Sequence, residues 1–313
     1  TVAVSGFVGA GHPEALTAEL ENHFLKENKP EKLTLVYAAG QGDGDQRGLN
    51  HLAHKGLLKR VIGGHWNLAP RLGKLALASD IEAYCFPQGV ICQLLRDIAA
   101  GRPGVITKVG LNTFIDPLND GGRLNSRTTE SLVERRQING EDWLHYHSFP
   151  IDVGLIRATS ADRVGNLVMD REAIVGEVLP IAQAAHNNGG LVIAQVEKIT
   201  ENPAPPHAVH VPGILIDALV ISEPAQHGQT FAESFNASYV EPGDKVALAP
   251  MPFSERKIIA RRALIEIERG SIVNLGIGMP EGVVAVANEK SRLNEFTLTQ
   301  QIPKHLSKNV FAC

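Results

Sequence analysis

The feature that most constrains this chain is a loop written twice. Val8–Leu16 reads VGAGHPEAL and Leu275–Val283 reads LGIGMPEGV. Both copies carry Gly-x-Gly-x-Pro-Glu at one spacing: Gly9, Gly11, Pro13 and Glu14, then Gly276, Gly278, Pro280 and Glu281. Each copy follows a β-rich run and precedes a helical one. Two copies at opposite ends of the chain predict two strand–loop–helix units on a single plan, a duplicated domain rather than a short-period repeat array.

The text between them supports this. VAVSGF, KLTLVYA, RVIGGHW and IEAYCF read as apolar strands. Between them lie helical stretches: Leu16, Leu20 and Phe24 recur every four residues, and HLAHKGLL, RLGKLALAS and VICQLLRDIAA follow. Pro13 suits the first turn of its helix, where a missing N–H costs nothing. Strands apolar on both faces in βαβα order predict a buried parallel sheet. VERRQINGEDWLHYHSF is a hairpin turning at Asn139-Gly140. IDVGLIRAT and GNLVMD continue the β-rich stretch, EVLPIAQAAHNNGG is a helix, and LVIAQVEKI and ILIDALVIS are strands. Residues 222–253 lose any period and read as a linker. SERKIIARRALIEIERG is a helix from a Ser cap to a Gly stop, and SIVNLGI, GVVAVANEK and EFTLT give strand, helix, strand. The expected fold class is α/β, with two related open α/β domains, each a mostly parallel sheet with helices on both faces. The first spans 1–221 and the linker 222–253. Residues 254–313 hold the start of the second, which is expected to be incomplete.

Composition narrows the function. The 313 residues are 43% hydrophobic and 20% charged with a net charge of −4, ordinary values for a globular protein without a polyanion-binding surface. No basic stripe points to nucleic acid, and no apolar run approaches the length of a membrane span. Cys85, Cys92 and Cys313 form no CxxC pair, which fits reduced thiols in the cytoplasm. The start shows no basic region followed by an apolar stretch, so no signal peptide is expected from it, and the opening directly inside an apolar run reads as a clipped N-terminus.

A strand–GxG–helix turn aims backbone N–H groups and the positive helix end at one point, which suits phosphate, carboxylate or a developing oxyanion. A plain tight turn has the same look, and the second copy favours the functional reading. A dinucleotide fingerprint wants a third glycine where Glu14 stands and an acidic residue ending the next strand, and LVYAAG has none. No P-loop or Gly-x-Ser-x-Gly elbow occurs. His51 with His54, and His145 with His147, share faces, but no acidic or Cys partner sits at ligand spacing, so no metal is assigned. Lys257, Arg261 and Arg262 read as a solvated helix face.

Several longer stretches carry a resemblance: VSGFVGAGHPEAL, AGQGDGDQRGLNHLAHKGLLKRVIGGHW, FPQGVICQLLRDIAAGRPGVITKVGLNTFIDP, IAQAAHNNGGLVIAQVEKI, VPGILID and ERKIIARRALIEIERGSIVNLGIGMPEGV. From Thr1 to about Thr299 the chain resembles the family I CoA-transferases of the acetate/propionate and 3-oxoacid type, above all the single-chain members that fuse an α-type and a β-type half. The resemblance implies one glycine loop per half. It also implies covalent transfer of CoA between a short-chain acyl-CoA and a carboxylate through a glutamyl-CoA thioester, with no cofactor beyond the CoA substrate. An oligomer is a family expectation. By position, Gly9, Ala10 and Gly11 of the first loop, and Gln88 and Gly89 of PQG, would line the acyl/CoA cleft. Gly276, Ile277 and Gly278 of the second loop would face it. Gln88 reads equally well as a helix-start residue bonding local backbone.

Two departures matter. Asn112 in VGLNTF stands where the family has Gly, and Asn is the next best residue if that position needs positive φ. More seriously, the family's nucleophilic glutamate follows a strand in a pattern like Leu-Thr-Val-Glu-x-Gly-Pro. Here FTLT, Phe296 to Thr299, runs into Gln300-Gln301 and a tail without βα rhythm. A Gln amide at 301 cannot form the anhydride, so these residues contain no catalytic nucleophile and read as a truncated transferase. Such a chain would be inactive alone, or would need a partner supplying the missing half. The alternatives are a non-catalytic CoA-binding or oligomer-forming piece of the same fold, and an unrelated enzyme on a similar sheet, such as a sugar-phosphate isomerase, for which no acid/base pair is evident.

Overall fold

The computed structural model describes residues 1–241, 250–276, 278–300 and 310–312. The chain divides into two compact units, Thr1–Phe235 and Asn236–Cys313. The structure thus places 222–235, part of the stretch read as linker, with the first unit. Among the described residues no helix is long and apolar enough to cross a membrane.

The first unit runs β1 (Val2–Val4), α1 (Glu14–Glu27), β2 (Leu33–Tyr37), β3 (Leu58–Gly63), α2 (Pro70–Leu77), β4 (Glu82–Cys85) and α3 (Gln88–Ala99). It continues through β5 (Gly104–Thr107), β6 (Val133–Ile138), β7 (Glu141–His147), β8 (Val153–Arg157), β9 (Ser160–Asp162), β10 (Leu167–Val168), α4 (Val178–Asn187), β11 (Leu191–Val196), β12 (Lys198–Thr200) and β13 (Ala218–Ile221). The second holds α5 (Glu255–Ile265), β14 (Ile272–Leu275), α6 (Glu281–Glu289), β15 (Thr297–Gln300) and β16 (Val310–Ala312).

Seven strands form one all-parallel sheet in the order β13-β11-β8-β1-β2-β3-β4. Alternate residues of each strand point to opposite faces, and both faces are covered. Val2, Val4, Leu35, Tyr37 and Val61 pack with Phe24 of α1 and Leu72 and Leu75 of α2. Ala3, Val36, Ile62, Ile156 and Ala194 pack with Ile91 and Leu94 of α3 and Ile181 and Ala185 of α4. The expected α/β class with helices on both faces is therefore the fold. The chain starts at β1, builds β2, β3 and β4 to one side, then returns to add β8, β11 and β13 on the other. Neighbouring β1 and β8 thus mark the switch point, where the loops at the carboxyl ends diverge and open α/β sheets bind ligands.

Two smaller sheets decorate this unit, β5-β7-β6 and β10-β9-β12. In the first, β6 and β7 form the expected hairpin, turning through Asn139 and Gly140 with φ of 51° and 77°. Asn112 adopts φ 61°, the left-handed conformation its position was expected to need. In the second unit β14, β15 and β16 are parallel, with α6 joining the first two, a strand–helix–strand unit like β1–α1–β2.

Three local expectations change. HLAHKGLL is not a helix: Leu49–Leu52 makes one 3₁₀ turn and Leu58 already belongs to β3, because Leu57 and Leu58 are needed in the core beside the sheet. VAVSGF is a strand only as far as Val4, since positive-φ Gly6 turns the chain out. Pro13 precedes the first helical residue, and its carbonyl accepts the first helical bond from Thr17 at 3.2 Å.

Candidate functional site

The first glycine loop leaves β1 at the switch point and folds back on itself. Phe7 and Ala10 exchange backbone hydrogen bonds of 2.9 Å, closing a tight turn. Val8 lies in the left-handed region at φ 55°, a strained conformation for a β-branched residue, of order 1–3 kcal/mol. Two bonds to the loop leaving β2 hold it there: Val8 N donates to Gly40 O (2.7 Å), and Gly42 N donates to Val8 O (2.9 Å).

Two buried residues in the loop's Pro-Glu segment fasten it to its surroundings. His12 is fully enclosed, with Nδ1 2.6 Å from Gln41 Oε1 and Nε2 2.9 Å from Thr17 Oγ1. Gln41 in turn donates Nε2 to Val4 O. Burial pushes His12 down to about 4, against the opposing pull of Glu14 and Gln41, so the ring is neutral at pH 7. Glu14, the first residue of α1, is buried and accepts Gly48 N (2.9 Å), His51 Nε2 (3.1 Å) and Arg47 Nε (3.3 Å). Burial alone would raise this carboxyl, but the hydrogen bonds from His51 and Gly48 outweigh it and hold it at about 2.

The loop is also covered. A Cβ on Gly9 would lie 2.4 Å from Phe231 Cγ and 2.6 Å from the Phe231 backbone nitrogen, so only glycine fits beneath that residue. Arg47 stacks on the Phe231 ring with its guanidinium 4.3 Å from the centroid. The free N–H of Ala15, in the first turn of α1, is taken by Gln195 Oε1 at 2.8 Å. Gln195 is wholly buried and also donates to Gln226 O. Behind it Arg157 and Glu172 form a buried ion pair with contacts of 3.1 Å, and His227 lies 3.5 Å from the same carboxylate. Burial would raise Glu172, but His227 and Arg157 keep it below the usual carboxylate value. These residues line a cavity of about 150 Å³ at the ends of β8, β11 and β13. Gly9, Ala10 and Gly11 are therefore buried in a completed joint.

Further along the same carboxyl edge the surface opens. Gln88 and Gly89 begin α3 and are exposed. Pro87 O accepts from Val90 and Ile91, while the Gln88 and Gly89 N–H groups have no acceptor among the described residues. Nor does the Gln88 side chain bond there to local backbone. Free N–H groups at the start of a twelve-residue helix, carrying the positive end of its dipole, suit an anionic group. His65, exposed after β3, lies so close over Gly40 that a Cβ there would meet its Nδ1 at 2.5 Å. Two strands, β2 and β3, separate this edge from the first glycine loop, so the structure does not bring Gln88 and Gly9 together.

Among the described residues nothing covers the second loop. Gly276 and Gly278 follow β14, and a Cβ on either would meet none of the described residues within 4 Å. Gly278 has φ 100°, its carbonyl accepts Arg256 Nη2 (2.8 Å), and Met279 is 46% exposed. The strand beside it, β15, pairs Gln300 with Leu275. Ile277 and Gln301, both named from sequence, lie outside the described residues.

Sequence reasoning missed the groups that close the first loop. Gln195, a polar residue inside the apolar run LVIAQV, was the visible signal. Phe231 left none, because it lies in a stretch without period. The sequence also hid acidic partners of both histidine pairs. Glu21 meets His51 and, at 2.6 Å, His54, while Glu134 faces His145 and His147 across the hairpin.

Comparison with known proteins agrees with this geometry. The family model for coenzyme A transferase matches residues 1–222. Caffeate CoA-transferase of Acetobacterium woodii is 39% identical over 308 residues, covering 96% of this chain and 58% of that protein. Acetate CoA-transferase YdiF of Escherichia coli K12 is 37% identical over 305 residues, covering 96% and 57%. The crystal structure of the Escherichia coli O157:H7 acyl-CoA transferase YdiF as a thioester complex with CoA superposes with a TM-score of 0.89 at 34% identity, covering 97% of this chain and 60% of that one. This chain thus spans less than two thirds of the length of these relatives. Fold, loop placement and similarity agree: the chain belongs to the coenzyme A transferase family.

Proposed function

We propose that this chain provides the acyl-CoA side of a CoA-transferase that moves CoA between a short-chain acyl-CoA and a carboxylate such as acetate, propionate or a 3-oxoacid. The reading rests on similarity to CoA-transferases along almost the whole chain. It is supported by the N–H groups of Gln88 and Gly89, which have no acceptor among the described residues, on the open edge of the sheet. Those groups are suited to a phosphate or thioester oxygen of CoA, and the open second loop around Gly276 and Gly278 to the oxyanion of the reacting carbonyl. Residues 1–221 act as the α-type half, and 254 onward as the start of the β-type half.

The chemistry needs a carboxylate nucleophile. A glutamate oxygen attacks the thioester carbonyl, the C–S bond breaks, and an acyl–glutamyl anhydride and CoA thiolate result. The thiolate attacks the glutamyl carbonyl, releasing the first carboxylate and leaving glutamyl-CoA, and the acceptor carboxylate reverses the sequence. Neither Gln300 nor Gln301 can take this role. The 313 residues by themselves therefore transfer no CoA. A further part of the sheet or a partner chain completes the site, covering Ile258, Ile259, Ile265 and Ile272, which the second unit exposes. Cytoplasmic location suits Cys85 and Cys92, which are free thiols raised by burial.

The test is to mix the pure 313-residue chain with acetyl-CoA and propionate while measuring CoA binding separately by calorimetry. The reading predicts no propionyl-CoA above background, and binding that a Gln88→Ala, Gly89→Pro double variant weakens. Enzyme-like turnover would overturn the missing-nucleophile part, and absence of any CoA binding would overturn the rest. The same residues acting purely as an oligomer-forming piece would show self-association in sedimentation without CoA binding.

A further inference from the structure

The β6–β7 hairpin carries a three-ligand cluster that CoA transfer does not use. On β7, Leu144 and Tyr146 point into the core, while Trp143, His145 and His147 point to the other face. Glu134 of β6 pairs directly with His145, so its side chain emerges on that same face. Its Oε1 lies 3.3 Å from His145 Nδ1 and 3.0 Å from His147 Nε2, and the three ligand atoms all fall within 4.8 Å of one another. We propose that Glu134, His145 and His147 form a binding site for a divalent zinc-class cation, clamped across the hairpin with its remaining positions open to water.

Three observations carry this. The two Glu134–His spacings are near the ~3.3 Å that separates neighbouring ligand atoms around a tetrahedral zinc with bonds of about 2.0–2.1 Å. A small rotation of the half-exposed His147 brings the third edge in. Next, His145 Nε2 lies 3.3 Å from Pro103 O, so that carbonyl can accept the Nε2 proton once Nδ1 binds a cation. Such a carbonyl behind a ligating histidine fixes its tautomer and orientation. Finally, two imidazoles and one carboxylate suit a borderline cation rather than calcium or magnesium. Arg136, on the same face of β6, also meets Glu134. That pair is exposed, so releasing it costs little.

The site lies away from the carboxyl edge. Helix α3 runs back from that edge to β5, where Gly104 pairs with His147, and β7 leads directly into the start of β8. The ion therefore braces the small sheet and takes no part in acyl transfer.

Titrating the metal-free 313-residue chain with Co²⁺, then Zn²⁺, tests the site by calorimetry and by the visible cobalt spectrum. One equivalent should bind with a tetrahedral-type cobalt band, and Zn²⁺ should displace it and raise the melting temperature. His147→Asn and Glu134→Gln should each weaken binding at least about tenfold, while His23→Asn, on exposed α1 surface, should leave it unchanged. Circular dichroism of the isosteric Glu134→Gln variant separates lost binding from lost folding. Absence of a saturable cobalt band, or equal affinity in wild type, His147→Asn and Glu134→Gln, would overturn the proposal.

Discussion

The two copies of Gly-x-Gly-x-Pro-Glu begin their helices at the same motif residue, Glu14 in α1 and Glu281 in α6. They leave their strands differently. After β14 ends at Leu275 the second copy needs only five residues to reach its helix. The first has nine, because β1 stops at Val4 and Ser5 to Val8 form an extra excursion. Those extra residues fold the loop back under Phe231, and His12 locks it inside, where the second copy has half-exposed Met279. Glu14 has three hydrogen-bond partners, whereas Glu281 has none among the described residues. One template thus makes a closed structural joint in one unit and, among the described residues, an open backbone surface in the other. A motif's chemistry depends on what packs over it.

The largest expected difference is in acid. His12 is held at about 4 against an ordinary 6.5. Its neutral form is the folded form, so its contribution is complete above pH 6.5 and is lost as pH falls from 6.5 towards 4. The loss is on the order of 3 kcal/mol for one fully buried histidine. Urea unfolding between pH 7 and 4 should show this slope in wild type and a shallower one in His12→Gln. An unchanged slope would break the contrast with the second loop, which has no titratable group at that place.

Next comes Gly9→Ala, expected to destabilise the first unit by about 2–3 kcal/mol, because the new methyl meets backbone of Phe231 that cannot rotate away. Gly276→Ala should stay within about 0.5 kcal/mol. Paired denaturation curves check both, and equal losses would mean that the second loop is also covered. A somewhat smaller effect, about 2 kcal/mol, is expected for Glu14→Gln, which weakens charge-assisted bonds to His51, Arg47 and Gly48. Glu281→Gln should be close to neutral. Smallest of all is the stability change expected from Gln88→Ala, an exposed side chain without partners, for which CoA affinity is the informative reading.

Much of this was legible in the sequence. The apolar runs gave strands buried on both faces, the Asn139-Gly140 turn fixed a hairpin, and the matched loops pointed to two units of one plan. What stayed hidden depends on contacts distant in sequence. Leu57 and Leu58 look helical in HLAHKGLL until the sheet claims them. Glu134 cannot be connected with His145 until the hairpin register is known. Phe231 lies in a segment with no period, so nothing in its neighbours predicts that it covers Gly9. For the same reason the sequence does not reveal that Phe231 packs over Gly9: glycines that admit a ligand and glycines that admit a phenylalanine look alike in a sequence.

The most direct measurement is amide hydrogen exchange on the 313-residue chain, with and without acetyl-CoA, following peptides over 7–14, 86–90 and 275–280. The account predicts that 7–14 is protected from the start and unchanged by ligand, while 86–90 and 275–280 exchange freely and gain protection. Fast exchange at 7–14 that slows on adding acetyl-CoA, with no change at the other two, would contradict it.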